Sequence, residues 1–345
     1  MTYSDKDIAT ADTTRRQMIR WFGTASIMAG GLAFLEGCND DVVGSESVVT
    51  PTPTASATAT PTPPAAYTAT DADRMNLILQ LHYLYGTFLV RALDGTTLPP
   101  ALTTGVGTSG GVTGGSKVMF TDPMTLAGVN EVANAVLARI AFLRKTLGSA
   151  ATAQPALNIA GGQNGPFDAI ARGASTTTPP TSFFDPYASQ DEFLLGAVAL
   201  SAVVMTTSVG QGFQVGATTS GPVAALVAGI AASDGAIRNA LYQRAILQKR
   251  SIPESEILFE RSWRMAEVRD RLDGPVGLDR GIGSFGGGED FGSQIQLRDN
   301  NWIALRRTPE QALGILYASG TAASSGGFFP GGVNGLIKTS GNNVM

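Results

Sequence analysis

The chain has 345 residues, of which 43% are hydrophobic and 15% are charged, and its formal net charge at pH 7 is −4. This apolar content predicts a folded core, and the acidic balance without clustered Lys or Arg argues against nucleic acid as a partner. One cysteine and one histidine exclude a disulfide framework and a zinc site built from Cys and His.

The N-terminal segment 1–37 has the pattern of an export signal. Paired Arg15 and Arg16 precede a short apolar run from Trp21 to Leu35, which is typical of a twin-arginine-type signal peptide. The sequence Leu35-Glu36-Gly37-Cys38 is similar to a lipobox, although Glu36 stands where a small residue is usual. We expect lipidation at Cys38 and a lipid-anchored protein in the periplasm or at the cell surface. A signal-anchor helix with an incidental cysteine is the alternative.

Residues 38–70 are predicted to form a disordered tether. The stretch from Pro51 to Pro64 is rich in Pro and Thr and has almost nothing to bury, so it favours an extended, solvated chain. The expected partners are therefore the membrane, through the N-terminal lipid, and a protein of the cell envelope. The sequence leaves open which membrane, which partner and which oligomeric state.

Helical periodicity dominates from residue 71 to residue 272. Apolar residues recur there at steps of three and four, between N-terminal acids or Pro and C-terminal Gly. The predicted helices run from Asp71 to Gly95, from Asp122 to Gly148, from 188 to 209, from Gly221-Pro222 to about Lys249, and from Pro253 to about Leu272. The third is apolar nearly all round, which places it in the middle of a bundle. Residues 273–345 are predicted to be a glycine-rich, loop-dominated extension with one short helix after Thr308-Pro309.

Seven segments, in chain order between about residues 71 and 337, resemble the ferritin-like domain family of exported bacterial and plant desiccation-related proteins. They are Asp71-Ala72-Asp73 with the helix from Leu81 to Ala92, Gly110 to Ser116 with Phe120 to Pro123, Phe142 to Arg144 with Leu147 to Ala150, Phe184 to Tyr187, Phe193 to Ala197, Gly235 to Arg238 with Leu241 to Gln243, and Gly326 to Pro330 with Val333 to Gly335. The resemblance implies an all-α fold, a ferritin-like four-helix bundle with an accessory fifth helix.

The resemblance also implies where a di-iron site would lie. Such sites take a Glu from each of two helices and a Glu-x-x-His pair from each of the other two. In this chain the matching positions carry His82, Tyr85 and Thr87 on the first helix, Val136 and Arg139 on the second, Ser201 on the third, and Ile230 and Ser233 on the fourth. No Glu-x-x-His pair exists in the sequence, because His82 is its one histidine.

These substitutions lead to a sequence-based hypothesis about function. We expect a non-catalytic, metal-free protein without a cofactor, which is not an enzyme and acts as a structural or partner-binding module, with a role in desiccation or other stress implied by the resemblance. One alternative is a small-ligand binder that uses the former metal pocket, with Arg139 and His82 as its polar groups. A di-iron oxidoreductase or metal-handling protein is the other.

Two further motifs are interpreted without a function. Residues 105–110 have the Gly-x-Gly-x-x-Gly spacing of dinucleotide sites, but they are predicted to lie in a loop between helices, where that motif does not act. Carboxylates on the fifth helix are interpreted as a solvated, salt-bridged face rather than a catalytic pair: Glu254, Glu256, Glu260 and Glu267.

Overall fold

Seven α-helices and four short strands form the regular structure of the residues that the computed structural model describes, which are 68–172, 183–248, 257–274, 276–285 and 291–343. The helices are α1 Asp71–Asp94, α2 Pro123–Leu147, α3 Pro166–Arg172, α4 Gln190–Gly212, α5 Ala217–Gln248, α6 Leu258–Asp273 and α7 Pro309–Leu316. Strand β1 (Val112–Thr113) pairs in parallel with β2 (Leu157–Asn158), and β3 (Gly283–Phe285) pairs antiparallel with β4 (Phe291–Ser293). The predicted all-α class is confirmed.

Side-chain caps fix where the long helices begin and end. Thr70 and Asp73 form a capping box at the start of α1, and Gly95 ends that helix in the left-handed region at φ 74°. Asp122 accepts hydrogen bonds from the backbone N–H groups of Met124 and Thr125 at the start of α2, and Ser189 caps α4 in the same way. The N-terminal caps satisfy backbone donors that have no partner inside the helix, and at the C-terminal end of α1 the Gly95 N–H donates to the Arg91 carbonyl oxygen.

Helices α1, α2, α4 and α5 make up a four-helix bundle. Helix α1 packs on α2 and α4, and α5 packs on the same two helices from the other side. By length and composition, α4, α5 and the segment 123–150 containing α2 are apolar enough to cross a membrane, and α4 is wholly buried within the protein. The absence of a polar face on α4 therefore follows from its position inside the bundle.

The structure differs from the predicted elements at two places. Helix α5 begins at Ala217, and Pro222 lies inside it, whereas the sequence predicts a start after Pro222. The helix α3 was not predicted: its seven residues are too few to show periodicity, and its position depends on Phe167 packing between Phe88 and Phe328. Residues 249–256, where the fifth helix was predicted to begin, lie outside the described residues.

The chain after α6 packs back onto the bundle. The Arg307 backbone N–H donates to the Thr206 carbonyl of α4 at 3.0 Å, and the Asn334 N–H donates to Gln80 of α1 at 3.2 Å. At the first contact a Cβ on Gly210 would lie 2.1 Å from the Arg307 carbonyl oxygen. Glycine at position 210 thus permits the close approach of this segment to α4.

Replacing Gly210 tests that approach. We expect Gly210→Ala to lower the free energy of unfolding by about 1 to 3 kcal/mol, because backbone must move to admit the methyl group. Gly128→Ala is the matched control, since Gly128 is also helical and nothing lies within 4 Å of its Cβ position. That control should gain about 0.5 to 1 kcal/mol. Urea unfolding of both variants measures the difference, and equal stabilities would contradict the packing described.

Candidate functional site: a polar cavity inside the bundle

A small cavity lies between the four bundle helices. Its volume is about 10 Å³, room for about one water-sized molecule. Every helix of the bundle contributes to its wall. The lining residues are His82 and Tyr85 from α1, Val136 and Arg139 from α2, Ser201 and Val204 from α4, and Ile230, Ser233 and Asp234 from α5.

His82 offers the cavity a hydrogen-bond acceptor. Its Nδ1 lies 2.8 Å from the Ile78 carbonyl oxygen, and a carbonyl can only accept, so Nδ1 carries the proton of the neutral ring. Burial lowers the pKa of His82 to about 4, which keeps the ring neutral at physiological pH. The remaining nitrogen, Nε2, is buried and has no hydrogen-bond partner among the described residues.

Tyr85 offers the cavity a donor. Its hydroxyl is buried and likewise has no geometrically acceptable partner in the described part of the chain. Burial, and then the nearby Asp234 carboxyl, raise the pKa of Tyr85, so the phenol keeps its proton. Ser201, although close to Tyr85, donates its own hydroxyl to Asp234 Oδ1 at 2.6 Å.

Asp234 is the one carboxyl group among the lining residues. It is 2% exposed, and burial raises its pKa while the Arg238 guanidinium opposes that effect. Arg238 is itself fully buried and donates to the backbone carbonyls of Gln294, Arg280 and Gly281. Asp234 thus connects the cavity to a buried cation that holds the C-terminal region.

Arg139 lies at the edge of the cavity and is the lining residue that reaches solvent. Its Nη2 donates to the Gly229 carbonyl at 2.7 Å and to Ser233 Oγ at 2.8 Å, both on α5. Burial lowers the pKa of Arg139. The sequence suggests Arg139 as a polar group of a ligand pocket, and the structure shows that its guanidinium bridges α2 to α5.

The positions singled out by the resemblance meet in this cavity. Seven of them line it, and the eighth, Thr87, is buried but is not a lining residue. Cys38, Arg15 and Arg16 lie outside the described residues. Val204 and Asp234 complete the lining; Asp234 could have been found as the one carboxylate of α5. The seven that meet are His82, Tyr85, Val136, Arg139, Ser201, Ile230 and Ser233.

The cavity does not fit a pair of metal ions. Two divalent ions inside a bundle need several carboxylates with imidazoles, whereas the lining offers one carboxylate and one imidazole and adds a guanidinium cation. Val136 and Ile230 are almost fully buried, and each favours folding by roughly 1.5 to 3 kcal/mol. No reaction step is therefore assigned to a di-iron centre.

A second buried acidic group lies where α6 ends. One carboxylate oxygen each of Asp270, Asp273 and Asp279 lies within 4.8 Å of the others. Arginines take the role of the cation there: Arg269 donates to Asp279 at 2.7 Å, and Arg307 donates to Asp273 at 2.7 Å and also to Asp279. Arg269 and Asp273 are 1% exposed and lie on a different side of the helix from the predicted solvated face, on which Glu260 forms an exposed pair with Arg264.

Comparison with known proteins identifies relatives. The ferritin-like domain family profile matches residues 70–243, half of the chain. The chain is 26% identical over 275 residues to a ferritin-like catalase, Nec2, of Nesocodon mauritianus, covering 77% of this chain and 84% of the relative. It is 30% identical over 159 residues to desiccation-related protein PCC13-62 of Craterostigma plantagineum, covering 45% of this chain and about half (49%) of that relative. No solved structure matches the chain.

The first of these relatives overturns one expectation. We predicted from the missing di-iron ligands that the chain is not an enzyme, and a relative matched over most of its length is named a catalase. That prediction is contradicted. Its error was to equate loss of the di-iron ligand set with loss of catalysis, although catalytic chemistry depends on the groups that line a site.

The hydrogen-bond state of His82 can be tested directly by nitrogen NMR. Because the chain contains one histidine, ¹⁵N-histidine labelling with a histidine-free purification tag gives one pair of ring signals. We expect the neutral Nδ1–H tautomer from pH 8 down to pH 5, since burial lowers the pKa to about 4. Titration near the ordinary value of 6.5 would contradict the buried geometry.

Asp273 should make the stability of the protein depend on pH. Burial raises the pKa of Asp273 to about 7, above an unfolded value of about 3.9, so the folded state binds the extra proton between these values. The free energy of unfolding should therefore fall as pH rises from about 4 to 7 and then level off.

Asp273→Asn removes that titration, and its stability relative to the parent protein should rise by about 2 kcal/mol, to order of magnitude, between pH 5 and pH 8. Urea unfolding at both pH values measures the change. Asp71→Asn is the control: a hydrogen bond from Thr219 lowers the pKa of Asp71, so this group titrates below the measured range, and its replacement should leave the change between pH 5 and pH 8 the same as in the parent protein. An identical pH dependence in the parent and the Asp273 variant would refute the assignment.

Proposed function

This chain belongs to the ferritin-like domain family, and we propose that it is a stress-related member whose central cavity binds a small, uncharged polar molecule in place of a metal pair. The proposal rests on two buried polar groups of one cavity that have no hydrogen-bond partner among the described residues. His82 Nε2 is an acceptor without a donor, and the Tyr85 hydroxyl is a donor without an acceptor. Buried polar groups are otherwise almost always hydrogen-bonded.

The complementary ligand must donate to His82 and accept from Tyr85. A molecule of about one or two non-hydrogen atoms is the size that such a small cavity accepts. Water meets these requirements, and so does hydrogen peroxide. Peroxide is the substrate to examine first, because a relative that shares most of its length with this chain is named a catalase. The cavity groups would orient the peroxide, with neutral His82 as acceptor and protonated Tyr85 as donor.

The cellular setting is part of the same proposal. The paired Arg15 and Arg16 and the lipobox-like sequence before Cys38 support export and lipid anchoring, and the Pro/Thr-rich segment after them supports a tether. The desiccation-related relative supports a role in stress. A protein held outside the cytoplasm would meet oxidants and water loss directly.

Peroxide handling is tested with the folded domain from residue 68 onward and with the full-length protein. We expect peroxide to bind in the cavity, followed by the ¹⁵N signal of His82, and the affinity to fall by at least about tenfold in Tyr85→Phe, which removes one directional hydrogen bond. Tyr83→Phe is the matched control: Tyr83 is a buried tyrosine of the same helix, but its hydroxyl binds Thr152 and Arg144 instead of facing the cavity.

Metal analysis of the same sample belongs to this test. We expect less than about one tenth of an iron or manganese ion per chain, because the lining has too few carboxylates for a metal pair. A metal content near two ions per chain that falls in Asp234→Asn would overturn the metal-free cavity. Equal peroxide affinities in the parent and Tyr85→Phe proteins, or a His82 signal that peroxide does not move, would overturn the proposed function.

A further inference from the structure

Among the described residues, one residue of the cavity lining reaches solvent. Eight of the nine lining residues are buried, each with at most 8% exposure, and Arg139 is the one that reaches solvent. A molecule that enters between the described helices without unfolding them must therefore pass the Arg139 side chain.

The guanidinium of Arg139 is held across that entrance. It extends from α2 to α5, where its Nη2 donates to the Gly229 carbonyl and to Ser233 Oγ. Gly229 leaves room for the guanidinium, because a Cβ at this position would lie 3.3 Å from Nη2, a tight contact. Two hydrogen bonds thus fix a positive charge at the edge of the cavity.

The charged and polar groups around the cavity determine which molecules can enter it. Helix α1 contributes His82 and Tyr85 to the cavity, and α4 contributes the Ser201 hydroxyl. Helix α5 contributes Ser233 and the Asp234 carboxyl, which is buried and accepts a hydrogen bond from Ser201. Arg139 comes from α2 and carries the positive charge at the edge. A cation approaching this edge meets a like charge in a partly desolvated place, where repulsion is stronger than in water.

We propose that Arg139 is the specificity-determining residue of the cavity, which admits small neutral molecules and excludes small cations. This inference rests on the proposed function, since it presupposes that the cavity takes up a ligand. It goes further by assigning the charge class of that ligand and the residue responsible. The positive charge of Arg139 also opposes the entry of metal ions, for which the cavity lacks ligands as well.

Methanol and methylammonium are size-matched probes for the test. Each has two non-hydrogen atoms and can donate a hydrogen bond to His82; methanol can also accept one from Tyr85, whereas methylammonium carries a positive charge and accepts none. The ¹⁵N signal of His82 Nε2 reports occupancy of the cavity without any need for enzymatic turnover, and the single histidine makes its assignment unambiguous. In the parent protein we expect methanol to shift this signal and methylammonium, at the same concentration, to leave it unchanged.

Arg139→Gln should abolish the discrimination. We expect the apparent Kd for methylammonium to fall at least tenfold in this variant, while methanol still binds. Arg144→Gln is the control, because Arg144 lies on the same helix but binds Tyr83 and Thr104 away from the cavity. Ser233→Ala, which removes one of the two hydrogen bonds of Nη2, is a second variant for the case that Arg139→Gln does not fold.

The outcomes separate the two proposals. Methylammonium binding as well as methanol in the parent protein, or unchanged discrimination in both the Arg139 and Ser233 variants, would overturn the role of Arg139 and leave cavity binding intact. A His82 signal that neither probe moves in any of these proteins would instead overturn the proposed function, and the inference with it.

Discussion

The hydrogen bond between His82 Nδ1 and the Ile78 carbonyl, 2.8 Å long, decides the chemistry at the centre of this bundle. It assigns the ring proton to Nδ1, so the nitrogen left for the cavity is an acceptor. Burial keeps the ring uncharged. A histidine in this state can bind a donor molecule, whereas a charged imidazolium would repel Arg139 and need a counter-ion. The neutral state of the histidine and the acceptor that it offers to the cavity thus follow from its burial and from this contact.

Several other buried charges lie close to opposite charges within the protein. Arg269 and Arg307 occupy the centre of an aspartate group that could otherwise attract a metal ion, and Arg238 lies beside Asp234. Buried ion pairs of this kind stabilise only when their hydrogen bonds are complete. Their use here joins α4, α5 and α6 to the C-terminal region, so the loop-rich segment is part of the structure that encloses the cavity.

The ferritin-like bundle of this chain has a centre whose lining lacks a di-iron ligand set. Val136 and Ile230 contribute apolar groups to that lining, and Ser201, Tyr85 and His82 contribute polar ones. One relative of the chain is named a catalase. What a member of the family does depends on the few groups left facing the cavity, and these differ from a di-iron ligand set in charge and in number.

The sequence by itself determined the four bundle helices, most of their ends and the loss of the di-iron ligands. Those features are local: caps such as Thr70 and Asp122 act within one turn, apolar periodicity is read along one helix, and one histidine cannot supply two. The resemblance added which positions face the centre. The tertiary structure alone decided that Asp234 joins them, that Arg139 bridges α2 to α5, and that Arg307 reaches the end of α6. Such contacts join residues far apart in the chain, so local patterns do not encode them; they depend on how the helices pack.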